Sequence, residues 1–489
     1  MPGILIYFPV LFPMLVGLLT FVFHFDSDRK RNIYIEAGVI INTIIVSLLL
    51  FAPPEGTYIL FRLTNDLTIE FHIDKMASVF AGIVSFLWPF ASLYAFEYME
   101  EEQRKNSFFG FYTMTYGITI GVAFAGNIET MYLFYEMLTL VTLPLVMHEM
   151  NTESIRAARR YMVYSIAGAS FGFISLMFIL NYGETSSFMW GGVLEALPKD
   201  KEQLMRVWYA FAFFGFGVKA AVFPFHGWLP KAAVAPTPVT ALLHAVAVVK
   251  SGAFAIGRIT YFSYGTEILK GTWVQYLVMS ASLITILFGS CMAFKEQHIK
   301  RRLAYSTVSN LSYIVFGFTL MSEQGLVGGM THMIAHAFIK IVLFACVGAI
   351  MVKTGKQYVY EIVGIGRVMP FTMVCFTICA LAITGVPPLF GFISKWSLIK
   401  GAVLEGGFAY AGVVILLISG LLTAMYILSI AIRAFVYDGE AAMSDTFAGV
   451  KSTGMRMKLP FAVLTAVVLV LSFFAGPITD FLQQMAQGL

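Results

Sequence analysis

An all-α, polytopic membrane fold of about fourteen transmembrane helices is what this 489-residue sequence predicts. Three features carry that prediction: the apolar content, the regular recurrence of apolar runs, and the one-sided distribution of positive charge. Hydrophobic residues make up 58% of the chain and charged residues 12%, against roughly 45–50% and about 25% in soluble domains. No soluble core buries that much apolar surface, so lipid is the solvent for most of it. The expected location is the inner (plasma) membrane, with a multi-pass topology.

Apolar runs of about 20 residues, the length that crosses a bilayer, begin near Pro2, Ile33, Asp74, Ser107, Ile128, Tyr161, Arg206, Pro238, Trp273, Leu303, Leu326, Met369, Phe408 and Leu459. The first run is too long for a cleavable leader and lacks a cleavage site, so it is expected to be the first span. Residues 1–106 hold helices one to three, with an external loop at 53–73 whose alternating residues suggest a hairpin. A second long loop falls at 183–202. Residues 437–489 hold the last helix and a polar connector at 438–457.

Charge orients the helices. With the N-terminus outside, 20 of the 32 Lys and Arg fall in inner loops and 8 in outer loops. Both termini are therefore expected outside. Lys219, Lys250, Lys340 and Lys395 fit no loop, because each lies inside an apolar helix. A lysine at the bilayer centre costs about 2.5–3.5 kcal/mol on insertion scales. Snorkelling or a structural ion pair would explain some of these positions, Lys395 and Lys250 most readily.

Of the 28 acidic residues, Glu136 alone stands out as mid-span. An isolated carboxylate there would protonate rather than stay charged. A lysine partner would hold it ionised, and Lys219 is the expected one. An ion pair that opens and closes is a proton switch; a permanently closed one is only a brace. His332, His336 and Lys340 follow at i, i+4 and i+8, one polar stripe on an apolar helix. Imidazoles titrate near neutral pH and suit a relay. Structural hydrogen bonding is the alternative, and no Cys, Asp or Glu accompanies them to build a metal site. His244 precedes Lys250 by six residues, which is not one helical face, so water or a helix distortion would have to join them. His226, beside Pro224, reads equally as structural or functional. The four cysteines lie in apolar runs and read as small packing residues.

Two helices carry breaks. One holds Gly215, Gly217, Lys219 and Pro224; the other holds Gly385, Pro387, Pro388, Gly391 and Lys395. Proline disrupts the helical ladder, and irregular backbone survives at membrane depth only inside protein or beside a wet cavity. The breaks are five helices apart, in the seventh and twelfth spans. The lysine precedes the prolines in one and follows them in the other. That points to two inverted five-helix repeats, at 107–260 with its break near 215–224 and at 273–436 with its break near 385–391.

The segment KAAVFPFHGWLPKAAVAPTPVTALLHAVAVVKSG, the Glu136 helix, the HMIAHAFIKIVLF stretch and the GVPPLFGFISKW break together resemble a known family. It is the antiporter-like membrane subunits shared by respiratory complex I, Mrp-type Na+/H+ antiporters and membrane-bound hydrogenases or formate hydrogenlyases. The resemblance covers about residues 75–435. It implies fourteen helices, a Glu136–Lys219 switching pair, Lys250 and the His332–Lys340 stripe joining the two halves, and Lys395 ending the line. A lysine at 395 and the lack of a long C-terminal lateral helix are similar to the D-type Mrp subunit and hydrogenase-associated relatives. Lys231 after WLP departs from relatives that carry an acid there.

The function expected is proton translocation within a multisubunit complex, with other membrane subunits and the bilayer as partners. No CxxC, haem motif or nucleotide loop is present, so no cofactor, metal or redox site of its own is expected, nor any nucleic-acid partner. Sodium wants several oxygen ligands and finds one internal carboxylate, so it would pass through a neighbouring subunit. The competing classes are a self-contained transporter of an organic substrate, which would need a pocket at the break, and a structural scaffold of a redox complex.

Overall fold

The computed structural model describes residues 3–64, 67–435, 447, 449–450 and 452–488. Pro2, Lys451 and most of the 438–457 connector lie outside the described residues. After a 3-10 turn, α1 (Phe8–Val22) and α2 (Asp28–Phe51) lead to a hairpin of β1 (Tyr58–Arg62) and β2 (Thr68–Phe71). The strands pair antiparallel, Tyr58 opposite Phe71 and Arg62 opposite Thr68, so the alternation at 53–73 is a true strand signal.

Then come α3 (Lys75–Tyr98), α4 (Lys105–Phe124), α5 (Ile128–Val146), α6 (Thr152–Tyr182), α7 (Glu202–Gly217), α8 (Leu229–Ala232), α9 (Thr237–Ala245) and α10 (Val248–Arg258). The second half contains α11 (Trp273–Lys295), α12 (Ile299–Thr319), α13 (Glu323–Thr354), the short α14 (Ile365–Val368), α15 (Pro370–Thr384), α16 (Phe390–Glu405) and α17 (Tyr410–Phe435). The chain ends with α18 (Met455–Phe473) and α19 (Ala475–Ala486). Nine helices among the described residues are long and apolar enough to cross a membrane. Taking α7–α8, α9–α10 and α15–α16 as one pass each, every predicted span finds its helix. Of the helices that fall short of the nine, α4 and α12 are buried along most of their length, so their polar residues face protein rather than lipid.

Helix starts follow capping chemistry. Ser27, Asp74, Asn127, Asn151 and Ser322 each accept a backbone N–H of their own first turn, satisfying a donor with no intrahelical partner. The central element is α13, 32 residues long and buried along nearly its whole length. A helix apolar on all sides belongs inside. Its Gly325, Gly328, Gly329 and Gly348 let neighbours approach closely, the usual basis of helix packing in lipid. Gly355, at φ 70°, ends it.

Both termini lie on the face that carries the hairpin and the 183–202 loop: Gly3 packs on Tyr58 and Gly488 on Trp190. That agrees with an even number of passes.

The structure corrects several placements. Lys300, Arg302 and Arg31, assigned to inner loops, are buried, as is Arg258, assigned to an outer loop. Burial follows from partners that a loop count cannot see. Lys300 reaches the Ala235 carbonyl and Arg302 the Tyr426 carbonyl. Arg258 forks onto both carboxylate oxygens of Asp74 and is ringed by Phe188, Phe254 and Phe262. Glu136 is also not the sole acid within a helix, since Glu36 of α2 accepts a hydrogen bond from Ser92.

Removing one member of a buried pair leaves the other charge uncompensated. Asp74→Ala is therefore expected to lower stability by about 3–5 kcal/mol, read as an earlier midpoint of denaturant unfolding in detergent. A midpoint unchanged within error would mean that the surrounding rings alone hold Arg258.

Candidate functional site

The first break begins where α7 ends at Gly217. The chain then runs through Lys219 to Pro224 before the 3-10 turn Phe225–Trp228. Tyr135 anchors it by donating its hydroxyl to the Phe216 carbonyl, 2.9 Å, and Trp228 closes it by donating Nε1 to the Val218 carbonyl, 2.7 Å. Lys219 is thereby held 1% exposed. Its Nζ stands 3.3 Å from Glu136 Oε1, lies over the Tyr135 ring and donates to the Tyr135 carbonyl. The expected Glu136–Lys219 pair is therefore formed across α5 and the seventh pass. Its two members differ in setting, because the Glu136 side chain is 25% exposed at the chain's outer wall.

Lys250 lies near by. Gly252 of α10 packs against the Lys219 backbone so tightly that a Cβ there would stand 2.5 Å from the Ala220 nitrogen. The absence of a side chain brings α10 onto the break. Between α9 and α10 is a third distortion, at Val246 and Ala247, whose amides both reach the Leu242 carbonyl. The second of these is an i to i−5 bond, the signature of an inserted residue. Neither Gly nor Pro marks it in the sequence. A helix distortion thus lies between His244 and Lys250.

Lys250 Nζ is 2.6 Å from His336 Nδ1. The rings of His336 and His332 are 6.2 Å apart along α13, and His332 Nδ1 is 3.0 Å from Ser394 Oγ. Ser394 precedes Lys395, whose Nζ donates to the Thr384 carbonyl at the second break, 3.0 Å. Gly385 makes that carbonyl available by ending α15 at φ 93°. The Lys395 side chain thus bends into the break and does not snorkel toward the outer surface. Tyr313 touches both groups, its ring 5.1 Å from that of His332 and 5.4 Å from Lys395 Nζ.

Lys340, two turns beyond His332, donates to the Leu303 carbonyl, 3.0 Å, and lies over Phe344. The other face of that region meets His244, 4.9 Å from the Phe344 ring. His226 stacks on Phe223 and Phe288, away from the line.

The structure thus brings Lys250, His336, His332 and Lys395 into one series, with Glu136–Lys219 at one end and Lys340 and His244 beside it. Among the described residues no cluster of three metal-ligating side chains occurs.

This geometry sits within a recognised family. The profile described as "NADH:quinone oxidoreductase/Mrp antiporter, TM" matches residues 125–425. The chain belongs to that family. A second profile, "NADH-Ubiquinone oxidoreductase (complex I), chain 5 N-terminus", matches residues 63–109 of this antiporter-like protein.

The antiporter-like chain is 32% identical to NADH-quinone oxidoreductase subunit N of Desulforudis audaxviator over 408 residues, 82% of this chain and 80% of that one. It is 25% identical to the D-type Na(+)/H(+) antiporter subunit of Alkalihalophilus pseudofirmus over 491 residues, 99% and 96% of the two. A chain of the membrane-bound sulfane sulfur reductase, an archaeal respiratory membrane complex, superposes with a TM-score of 0.85 at 21% identity, covering 99% of this chain and 96% of that one.

Proposed function

We propose that this chain is the proton-translocating subunit of a multisubunit complex in the plasma membrane, of the Mrp antiporter or the hydrogenase and complex I-like kind. Glu136 and Lys219 act as the switch, Lys250, His336 and His332 as the transverse line, and Lys395 as the terminal station opening outward. Lys340 and His244 feed the line from its side. The observation that carries this reading is the succession from Lys250 through His336 and His332 to Ser394, beside Lys395, with contacts of 2.6 and 3.0 Å at its two ends and the two imidazole rings 6.2 Å apart between them.

The switch works by charge. With Glu136 ionised at 3.3 Å, the Lys219 ammonium is stabilised; when the pair opens, the same buried ammonium loses its counterion and releases its proton. Lys250, across the Gly252 contact, is the next acceptor. The partly exposed Glu136 supports a neighbouring membrane subunit on that wall, since a carboxylate facing lipid is costly. Inverted repeats at 107–260 and 273–436, with both termini outside, fit the two breaks. Against carriage of an organic substrate, both break lysines are already engaged, Lys219 with Glu136 and the Tyr135 carbonyl of α5 and Lys395 with the Thr384 carbonyl at the second break.

The test is the assembled complex in vesicles, energised by a cation gradient or an electron donor, with internal pH recorded. Lys250→Met is expected to slow proton movement about 100-fold, the scale of a lost proton-transfer group, in complexes that elute intact. Wild-type rates in that variant would overturn the reading. His336→Gln keeps a polar group but cannot carry a proton at neutral pH. It is expected to fail nearly as badly, and wild-type rates there would instead assign the stripe a structural role.

A further inference from the structure

A fifth buried lysine lies outside the line. Lys300, in the first turn of α12, is 5% exposed, and its Nζ donates to the Ala235 carbonyl, 2.9 Å. The same carbonyl accepts from the Thr240 hydroxyl, 3.1 Å. Thr240 and His244 are one turn apart on α9, so they share a face. His244 is wholly buried, and among the described residues neither of its ring nitrogens meets a protein partner. Buried polar groups without protein partners are the usual seats of bound water. His244 also meets Phe344, the ring under Lys340.

On its outer side Lys300 lines a cavity of about 400 Å³, with Glu149, Glu153, His298 and Arg301 among its walls. This cavity opens on the face that holds most of the Lys and Arg. Its two carboxylates and one imidazole are groups that collect protons.

We propose that Lys300 is the station through which protons enter the buried line from this face, passing by Thr240 to His244. In each step the Lys300 ammonium gives one proton, over the Thr240 hydroxyl and water, to a free nitrogen of His244. A proton from the cavity then restores the ammonium. His244 hands its proton on toward Lys340 and Lys250. This rests on the relay reading above, adding to it an entrance and the residue that governs it.

The test uses the whole complex in inside-out vesicles, which turn this face to the medium, in a background carrying Cys291→Ser, the one exposed cysteine. Lys300→Cys is expected to slow proton movement about 100-fold. Aminoethyl methanethiosulfonate, which rebuilds a titratable amine, should restore it. The trimethylammonium reagent, a fixed charge, should not. Lys300→Arg should also fail, because guanidinium does not give up its proton.

Full activity in Lys300→Arg, or equal rescue by both reagents, would overturn the proposal by showing that charge or a hydrogen bond suffices. Failure of either reagent to label Lys300→Cys would overturn access through the cavity. Should the Lys300 variants not assemble, Thr240→Val decides: it is expected to be slow while Thr240→Ser is normal, and a normal Thr240→Val rules the route out. Lys250→Met run in parallel separates the two ideas. If it is slow while the Lys300 and Thr240 variants are normal, only the entrance is wrong; if it is normal, the relay itself is.

Discussion

Glu136→Ala in the assembled complex is expected to abolish coupled proton movement while leaving the complex intact, a loss of about 100-fold or more. Lys219 is the reason. Its side chain is 1% exposed, and among the described residues Glu136 is its one carboxylate partner, at 3.3 Å. The Tyr135 carbonyl and ring remain as weaker partners in the variant. They soften the penalty for folding but do not supply a charge that comes and goes. On the proposed reading, Lys219 then has no counterion whose approach and withdrawal can drive a proton toward Lys250.

Glu136→Gln should fail equally, since it keeps the shape and removes the charge. Lys219→Arg should fail from the other side, by keeping a charge that never leaves. Proton movement measured by a pH-sensitive dye, alongside native-gel assembly, reads all three. Near-normal transport in well-assembled Glu136→Ala complexes would reduce the pair to a brace.

Lys395→Met is expected to block turnover to a comparable extent, about 100-fold, with assembly again preserved. The alternative is that Lys395 merely anchors the helix at the outer surface, and then methionine should cost little. The structure gives the anchor little support, because Nζ turns back to the Thr384 carbonyl at the break and faces the Tyr313 ring. His332 also meets that ring, 5.1 Å away, so on the proposed line His332 and Lys395 are neighbours. Steady-state turnover of Lys395→Met separates the two: a rate within a factor of about two of wild type would make it an anchor.

Most of the fold was legible because bilayer thickness dictates helix length and charge dictates orientation, and both leave their mark on a single sequence. The hairpin at 58–71 was legible through its alternation. The stripe on α13 was legible because 3.6 residues per turn puts His332, His336 and Lys340 on one face wherever that face points. What escaped was whatever depends on a partner far away in sequence. Lys300 and Arg258 looked like loop charges because each sits at a helix end, where snorkelling is ordinary; the Ala235 carbonyl and Asp74 that bury them are distant in the chain. The distortion at Val246–Ala247 carries neither Gly nor Pro, and only the awkward spacing of His244 and Lys250 hinted at it. The pairing of Lys250 with His336 required two helices to be docked, which periodicity within either one cannot reveal.

Of Lys219 and Glu136, the first is sealed inside the chain and the second shows a quarter of its side chain at the wall. Whatever lies against that wall sets the local dielectric, and with it the strength of the attraction between the two charges. Extracted alone into detergent, the chain would present a different electrical starting point from the one it has among its neighbours. A neighbour seated at this seam would therefore act on the pair through Glu136, without touching the lysine.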